Sequence, residues 1–473
     1  RTSYYNCSKM GAQESKGQAV LALFSEEERT RINNIFHKLA HGHKSFSSEQ
    51  FKTFLSKDID DGFKAALFAA FLKCGGQISA SHKASGVSEA HFTFFLAKVL
   101  KGSSTEKADV LCLLCSDEGK KEKTVKELSK IVKSLCIAFL KLDHSKVHNT
   151  WKSKYTTQDI DRMVQYFFTD QKTQVVFPED TVWSEAEVEE WMTKTDMFIT
   201  VFETVFRLLF PIRSEGYNSD SAKSFLPTAT NVDWSKVKTI LDIPSIIYLN
   251  HNLSSSLQLQ WRFLYSNTLY GDSYSQLVAH ILEQGPCLIV IRDKDGHIFG
   301  GFISTSCKIT SKFSGSSDCF LFTLSPKYGV YTATGYNDNF FYLNQGVQTL
   351  PNGLGMGGQL NYFGLWLDQS FIKGHSKAVP KCTTFGSPQL SGKQEFEVDT
   401  VEVWGVGSGP KKNHDSDEED KHAKKSILDK DATAKAFLEL AGKSQVSEGL
   451  REPMEEEMSE EMKKKMNTIP KMF

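Results

Sequence analysis

The sequence predicts an α+β protein: an all-α N-terminal half, then a β-sandwich flanked by a few helices, then a short C-terminal docking helix. Three observations carry this. Residues 24–210 repeat helix-capping pairs followed by apolar residues at helical spacing. Between 213 and 238 the composition turns to Ser, Asn, Thr, Gly and Pro without periodicity, which reads as a linker. From 287 to 406, short aromatic and β-branched runs are separated by turn signals, the pattern of a sandwich.

The first helical pair opens at Ser25 with Glu28, and Ile32, Ile35, Phe36 and Leu39 continue it on one face. A short loop leads to a second capping pair, Ser47 and Gln50, then Phe51, Phe54 and Leu55. Helix, loop with one central apolar residue, helix: this resembles an EF-hand, with Phe46 expected to pair with Val87 of a second loop. The calcium-ligand positions around Phe46 are Leu39, His41, His43 and Gln50, and around Val87 they are Ala80, His82, Ala84 and His91. Calcium requires several carboxylate oxygens, so a degenerate pair without calcium is expected. No cysteine or carboxylate completes a zinc set with His41, His43 and His82. "DIDDG" at 58–62 is only part of a calcium loop, because Ala69 stands near its far end.

Thr124 with Glu127 and Ser184 with Glu187 start further helices. The apolar run at 197–210 carries Glu203 and Arg207 and stops at Pro211, too short and too charged for a bilayer.

Within the β region, "CLIVIRDKDGHIFGGFIS" (287–304) is two strands joined at Asp295-Gly296, a hairpin. Ser273 and Gln276 open a helix that stops at Gly285-Pro286. The alternation in "QEFEVDTVEVWGVG" breaks around Asp399–Thr400, where a bulge is expected. "PNGLGMGG" holds Gly353, Gly355 and Gly358 in the order G-x-G-x-x-G. A dinucleotide cradle needs a helix just after the glycines, and the run after them here, "YFGLWLD", is a strand by composition. Gly353, Gly355, Gly357 and Gly358 therefore serve a tight corner or a surface pressed against a partner.

Composition bounds function. Across 473 residues, Lys+Arg 56 and Asp+Glu 57 nearly cancel, and a net charge of −1 offers no basic field for nucleic acid. The nine cysteines are sparse and lie mostly in apolar runs, which reads as reduced thiols, with Cys112 and Cys115 as core packing. No cofactor, metal or catalytic residue is assigned. Asp293 and Asp295 fit hairpin chemistry at least as well as paired carboxylates. His375 and Cys382 are a candidate base and nucleophile, a relation that only geometry decides. Glu402 is a charge inside a strand, either a buried structural partner or a contact residue. Met10 is read as the initiator, and "MGAQES" then fits N-myristoylation of Gly11. One acyl chain gives marginal membrane binding, so a partner would supply the second attachment.

"FGGF" (299–302), "CFLFTL" (319–324), "YNDNFFYLN" (336–344), "NGLGMGG" with "YFGLWLD" (352–368), "CTTFGSPQL" (382–390) and "VEVW" (401–404) are similar, in order and spacing, to the TLDc domain of the oxidation-resistance family. The MGxxxS start, the helical half and "KSILDKDATAKAFLELAGKSQVSEGLRE" (425–452) resemble one subgroup of that family. The resemblance implies a β-sandwich, binding to the cytosolic sector of the vacuolar-type proton pump and, for the subgroup, lysosomal membranes and MTOR signalling. On that basis Tyr336, Asn337, Asn352, the four glycines, Glu402, Phe437 and Leu438 become candidate partner contacts. The expected function is a non-enzymatic adaptor on the cytoplasmic face of the lysosomal membrane. The alternative is an enzyme or redox-protective protein with chemistry near Cys382 or Glu402.

The expected divisions are a flexible N-terminus with the myristoylation motif (1–22), a degenerate EF-hand-like domain (23–102) and a helical domain (103–212). Beyond them come a linker (213–238), the TLDc domain (239–408), a charged linker (409–425), a C-terminal helix (426–442) and a disordered tail (443–473). Ala434, Phe437, Leu438 and Ala441 give the C-terminal helix one apolar face, which must pack on its own domain or on a partner.

Overall fold

The computed structural model describes residues 22–76, 86–115, 122–142, 147–171, 173–212 and 225–410. The expectations at Gly11, at Ala80, His82 and Ala84, across 411–425, and at Phe437 and Leu438 fall outside these residues.

The helical half contains α1 (Glu26–Ala40), α2 (Ser48–Phe54), α3 (Asp61–Gly76), α4 (Glu89–Leu100), α5 (Ser104–Leu114), α6 (Val125–Leu142), α7 (Thr157–Phe167), α8 (Glu185–Lys194) and α9 (Asp196–Leu209). Capping boxes at Ser25/Glu28, Ser47/Gln50 and Ser184/Glu187 satisfy the first free N–H groups of α1, α2 and α8. Two-residue strands β1 (Ser45–Phe46) and β2 (Val87–Ser88) pair antiparallel, with Phe46 opposite Val87 as the spacing predicts. The Phe46 ring then lies within 6.2 Å of the rings of Phe36, Phe51, Phe68, Phe71 and Phe92, so the loop pairing centres an aromatic core. At the first loop's ligand positions, Leu39 is buried and His41 takes the left-handed conformation that ends α1.

A second pair of this kind is a finding of the structure. Strands β3 (Lys123–Thr124) and β4 (Val182–Trp183) pair in the same way, Lys123 opposite Trp183. Both residues stand just before a capping residue, the position that Phe46 holds before Ser47. Residues 104–194 thus repeat the EF-hand-like arrangement. Cys112 and Cys115 sit in this core, where burial pushes both thiols up to about 12.

Twelve strands form the sheet system. They are β5 (Thr228–Thr230), β6 (Gln260–Ser266), β7 (Cys287–Asp293), β8 (Ile298–Ile303), β9 (Thr310–Ser314), β10 (Phe320–Ser325), β11 (Gly329–Thr332), β12 (Phe341–Asn344), β13 (Gly353–Gln359), β14 (Tyr362–Asp368), β15 (Lys373–His375) and β16 (Glu395–Val406). Helices α10 (Ile243–His251), α11 (Asn267–Tyr270) and α12 (Tyr274–Ile281) flank them. One layer runs β11-β10-β8-β7-β16-β6-β5, the other β9-β12-β13-β14-β15-β16. Strand β16 belongs to both: its start pairs with β15, and from Val398 on it pairs with β7, with a register shift between Val398 and Thr400. A bulge at this point bends one long strand from layer to layer.

The first layer is buried on both faces. Ile289, Ile291, Leu321, Val401 and Val403 face Leu354, Met356 and Leu365 of the second layer. Leu288, Val290, Phe302, Phe320, Phe322 and Trp404 share a core with the helical half. That is why "CLIVI" is continuously apolar where a half-exposed strand would alternate.

The linker expectation is corrected in part. Residues 225–242 are packed, with β5 pairing in parallel with β6. Trp151 Nε1 donates to the Pro227 carbonyl at 2.7 Å, and Trp234 Nε1 donates to the Thr150 carbonyl at 2.8 Å. The Trp151 ring lies 4.9 Å from Trp404 and 5.9 Å from Trp261, joining helices to sheet. We predict that Trp151→Ala destabilises the protein by about 3–5 kcal/mol, because it leaves a cavity and an orphaned carbonyl. Urea unfolding would read this, and a loss below about 1 kcal/mol would refute the joining role.

Candidate functional site

Three of the sequence motifs meet in one knot on the second layer. Strand β13 contains all four glycines, so they are a buried strand and not the loop-like corner the sequence suggests. Its hairpin partner β14 pairs Gly355 with Trp366 and Gly358 with Phe363. The first two glycines make room for rings. A Cβ on Gly353 would stand 2.5 Å from Trp366, and one on Gly355 would stand 2.5 Å from Phe363. The second two hold left-handed backbone, with φ of 70° at Gly357 and 79° at Gly358. What presses on all four is the chain itself.

That left-handed stretch of β13 is clamped by side chains from distant motifs. The Thr384 hydroxyl accepts from the Gly358 N–H at 2.9 Å and donates to Asn337 Oδ1 at 2.7 Å. Asn339 Nδ2 donates to the Gly358 carbonyl at 2.7 Å, and the Gly357 N–H donates to the Asn339 carbonyl at 3.0 Å. "YNDN", "GMGG" and "CTTF" are therefore one hydrogen-bonded unit. Asn337 is a structural clamp in it, and Tyr336, 80% exposed, projects from its edge. Asn352 lies apart and closes its own loop, its Nδ2 donating to the Val347 carbonyl at 3.0 Å and its Oδ1 accepting from the Val347 N–H at 3.2 Å.

His375 and Cys382 are not brought together. The His375 ring stacks 6.0 Å from Trp366 on the outer face of the second layer. The Cys382 thiol belongs to the inner core, where it would meet a Cβ on Gly357 at 2.7 Å. Burial, helped by Lys377, pulls the imidazole down to about 4, so it is neutral at physiological pH. The thiol–imidazole pair is corrected: the sheet separates its members. Asp293 and Asp295 are likewise hairpin groups. Asp293 accepts from the His297 N–H at 2.8 Å and from Ser391 at 2.7 Å, and Asp295 pairs with Lys393 at 2.9 Å.

Glu402 lies in the first layer, fully buried, between Val290 and Ser266 on the neighbouring strands. Its Oε2 accepts from Thr239 Oγ1 at 2.7 Å and from Trp404 Nε1 at 3.3 Å, and its Oε1 accepts from the Ile240 N–H at 2.9 Å. These bonds tether the segment that enters α10. Burial pushes the carboxyl up to about 7, against the pull of its hydrogen bonds and of Arg292. Of the two readings open in the sequence, this is the buried structural partner. Among the described residues, no cluster of three or more His, Cys, Asp or Glu could hold a metal ion.

Comparison with known proteins agrees with this geometry. The TLDc-domain family model matches residues 234–407, which hold both layers apart from β5. The chain is 35% identical to the MTOR-associated protein MEAK7 of Gallus gallus over 94% of this chain and 99% of that protein. The Homo sapiens protein of that name is also 35% identical, with the same shares covered. The oxidation resistance protein 1 of Xenopus tropicalis is 32% identical over 47% of this chain and 25% of its own length. The chain is thus a TLDc-domain protein and belongs to the family of the MTOR-associated protein MEAK7.

The knot and the buried carboxyl each make a measurable prediction. Gly357→Ala should cost about 1–3 kcal/mol, because a side chain is strained at positive φ and meets Cys382 and Phe385. Thermal unfolding would show it, and an unchanged midpoint would contradict the clamp. For Glu402, the folded state holds its proton more tightly than the unfolded chain, so its contribution is present in acid and lost as pH rises through about 7. The unfolding free energy of wild type minus that of Glu402→Gln should fall between about pH 5 and 8. A flat or rising difference in urea titrations would be inconsistent with a buried, proton-holding carboxyl.

Proposed function

We propose that the protein is a non-enzymatic adaptor on the cytoplasmic face of the lysosomal membrane. It binds the cytosolic sector of the vacuolar-type proton pump and supports MTOR signalling. The carrying observation is the near full-length relationship to proteins named as MTOR-associated, which spans the helical half as well as the sandwich. The motif residues also favour an adaptor. They build a rigid knot with an exposed tyrosine at its edge, while His375 and Cys382 stand on opposite faces of a sheet. A preorganised surface of this kind binds without the cost of ordering loops.

In this reading Gly11 carries a myristoyl chain, and the 426–442 helix with Phe437 and Leu438 adds a second grip on the pump. No helix among the described residues is long and apolar enough to cross a membrane; the attachment proposed is through the lipid and the partner.

Affinity purification from detergent-solubilised lysosomes tests the proposal, using full-length protein, protein truncated at Ala423, and Tyr336→Ala. Pump subunits should co-purify with the full-length protein and be depleted by truncation or by loss of the tyrosine. Recovery with none of the three would remove the pump from the proposal. Replacing Cys382 and His375 together by Ser and Ala should leave cellular protective activity unaltered; its loss in a folded variant would favour enzyme chemistry.

A further inference from the structure

The helical half and the first layer do not meet flush. Between them lies a cleft of about 610 Å³, walled by the segment before α7, by α7 itself, by residues 234–242 and by the β7–β8 turn. The Trp234 ring, Val237 and Ile240 supply its apolar surface. Its charge is one-sided. Lys152, Lys154, Lys238 and Arg162 face only Asp159 and Asp242, which leaves the lining at +2 in a chain of net charge −1.

Both carboxylates are already engaged. Arg162 Nη2 lies 2.6 Å from Asp159 Oδ1 and 2.8 Å from Asp242 Oδ2. The three lysines have no carboxylate partner among the described residues, and all are exposed toward solvent. Three lysines lining one cleft, none of them neutralised by a carboxylate, favour an anion there.

We propose that this cleft binds a small ligand with clustered phosphates, with Lys152, Lys154 and Lys238 contacting the phosphates. Lysine suits phosphate as a mobile point charge, and the volume is that of a compact small-molecule site rather than a strip for an extended acidic chain. The same chemistry is offered by a soluble inositol polyphosphate and by a phosphoinositide head group in a membrane.

The test is calorimetric titration of the full chain with inositol hexakisphosphate, with parallel flotation on phosphatidylcholine vesicles containing or lacking phosphatidylinositol bisphosphate. The proteins are wild type, a cleft variant (Lys152→Gln, Lys154→Gln, Lys238→Gln) and a control with three exposed lysines neutralised elsewhere (Lys38→Gln, Lys52→Gln, Lys312→Gln). Circular dichroism checks that all three are folded. Wild type and control should bind, and the cleft variant should bind about 10- to 100-fold more weakly, with wild-type affinity falling as salt rises. Hexakisphosphate binding alone assigns a soluble ligand, and vesicle binding that hexakisphosphate competes away assigns the membrane source; both support the site. No binding of either probe up to about 1 mM, or equal weakening in the cleft and control variants, overturns it.

Discussion

The structure depends on one constraint: the first layer of the sandwich is covered on both faces. Ile289 and Val290 are successive residues of one strand, yet one packs toward the second layer and the other toward the helices. A polar group buried in that layer is cut off from water and is costly unless it is satisfied inside the protein. Glu402 meets this demand by drawing Thr239, Ile240 and Trp404 to its two oxygens. A carboxylate that would be a liability in a core becomes the peg that fixes the segment linking helices to sheet.

The second layer obeys a different rule. Its inner face completes the sandwich core, and its outer face carries Tyr342, Phe363 and Trp366 as a separate buried cluster. Glycines opposite those rings let them lie flat on β13. The layer thereby becomes stiff without a helix to cover it. At its end, the left-handed Gly357 and Gly358 would be a weak point if their backbone groups were free. Asn339 and Thr384 occupy those groups, which turns the weak point into a firmly bonded turn.

Much of this is legible in the sequence where the determinant is local. The pairing of Phe46 with Val87, the capping boxes, the Asp295-Gly296 turn and the bulge near Asp399 each depend on a few adjacent residues. The β3–β4 pairing is hidden because Lys123 replaces the apolar residue expected before the cap, although Thr124 and Glu127 stand in the right place. Strand β13 is hidden because glycine is a poor strand former, and only the rings of Phe363 and Trp366 explain it. The separation of His375 from Cys382, and the partners of Glu402, are matters of which face a strand shows. A spacing of seven residues across a loop carries no such information, so the site is legible as motifs but not as an arrangement.

The double burial also bears on how the family is built. The oxidation-resistance relative aligns over less than half of this chain, so the similarity it shows does not span both the sandwich and the whole helical half. A first layer showing Leu288, Phe302, Phe320 and Trp404 to water would be an apolar patch of the kind that soluble proteins avoid or use for docking. In this protein the face is closed by Trp151 and the helices behind it, which leaves the second layer and its knot as the exposed end of the sandwich. The helical half thus acts as the cover that the apolar face of the first layer requires.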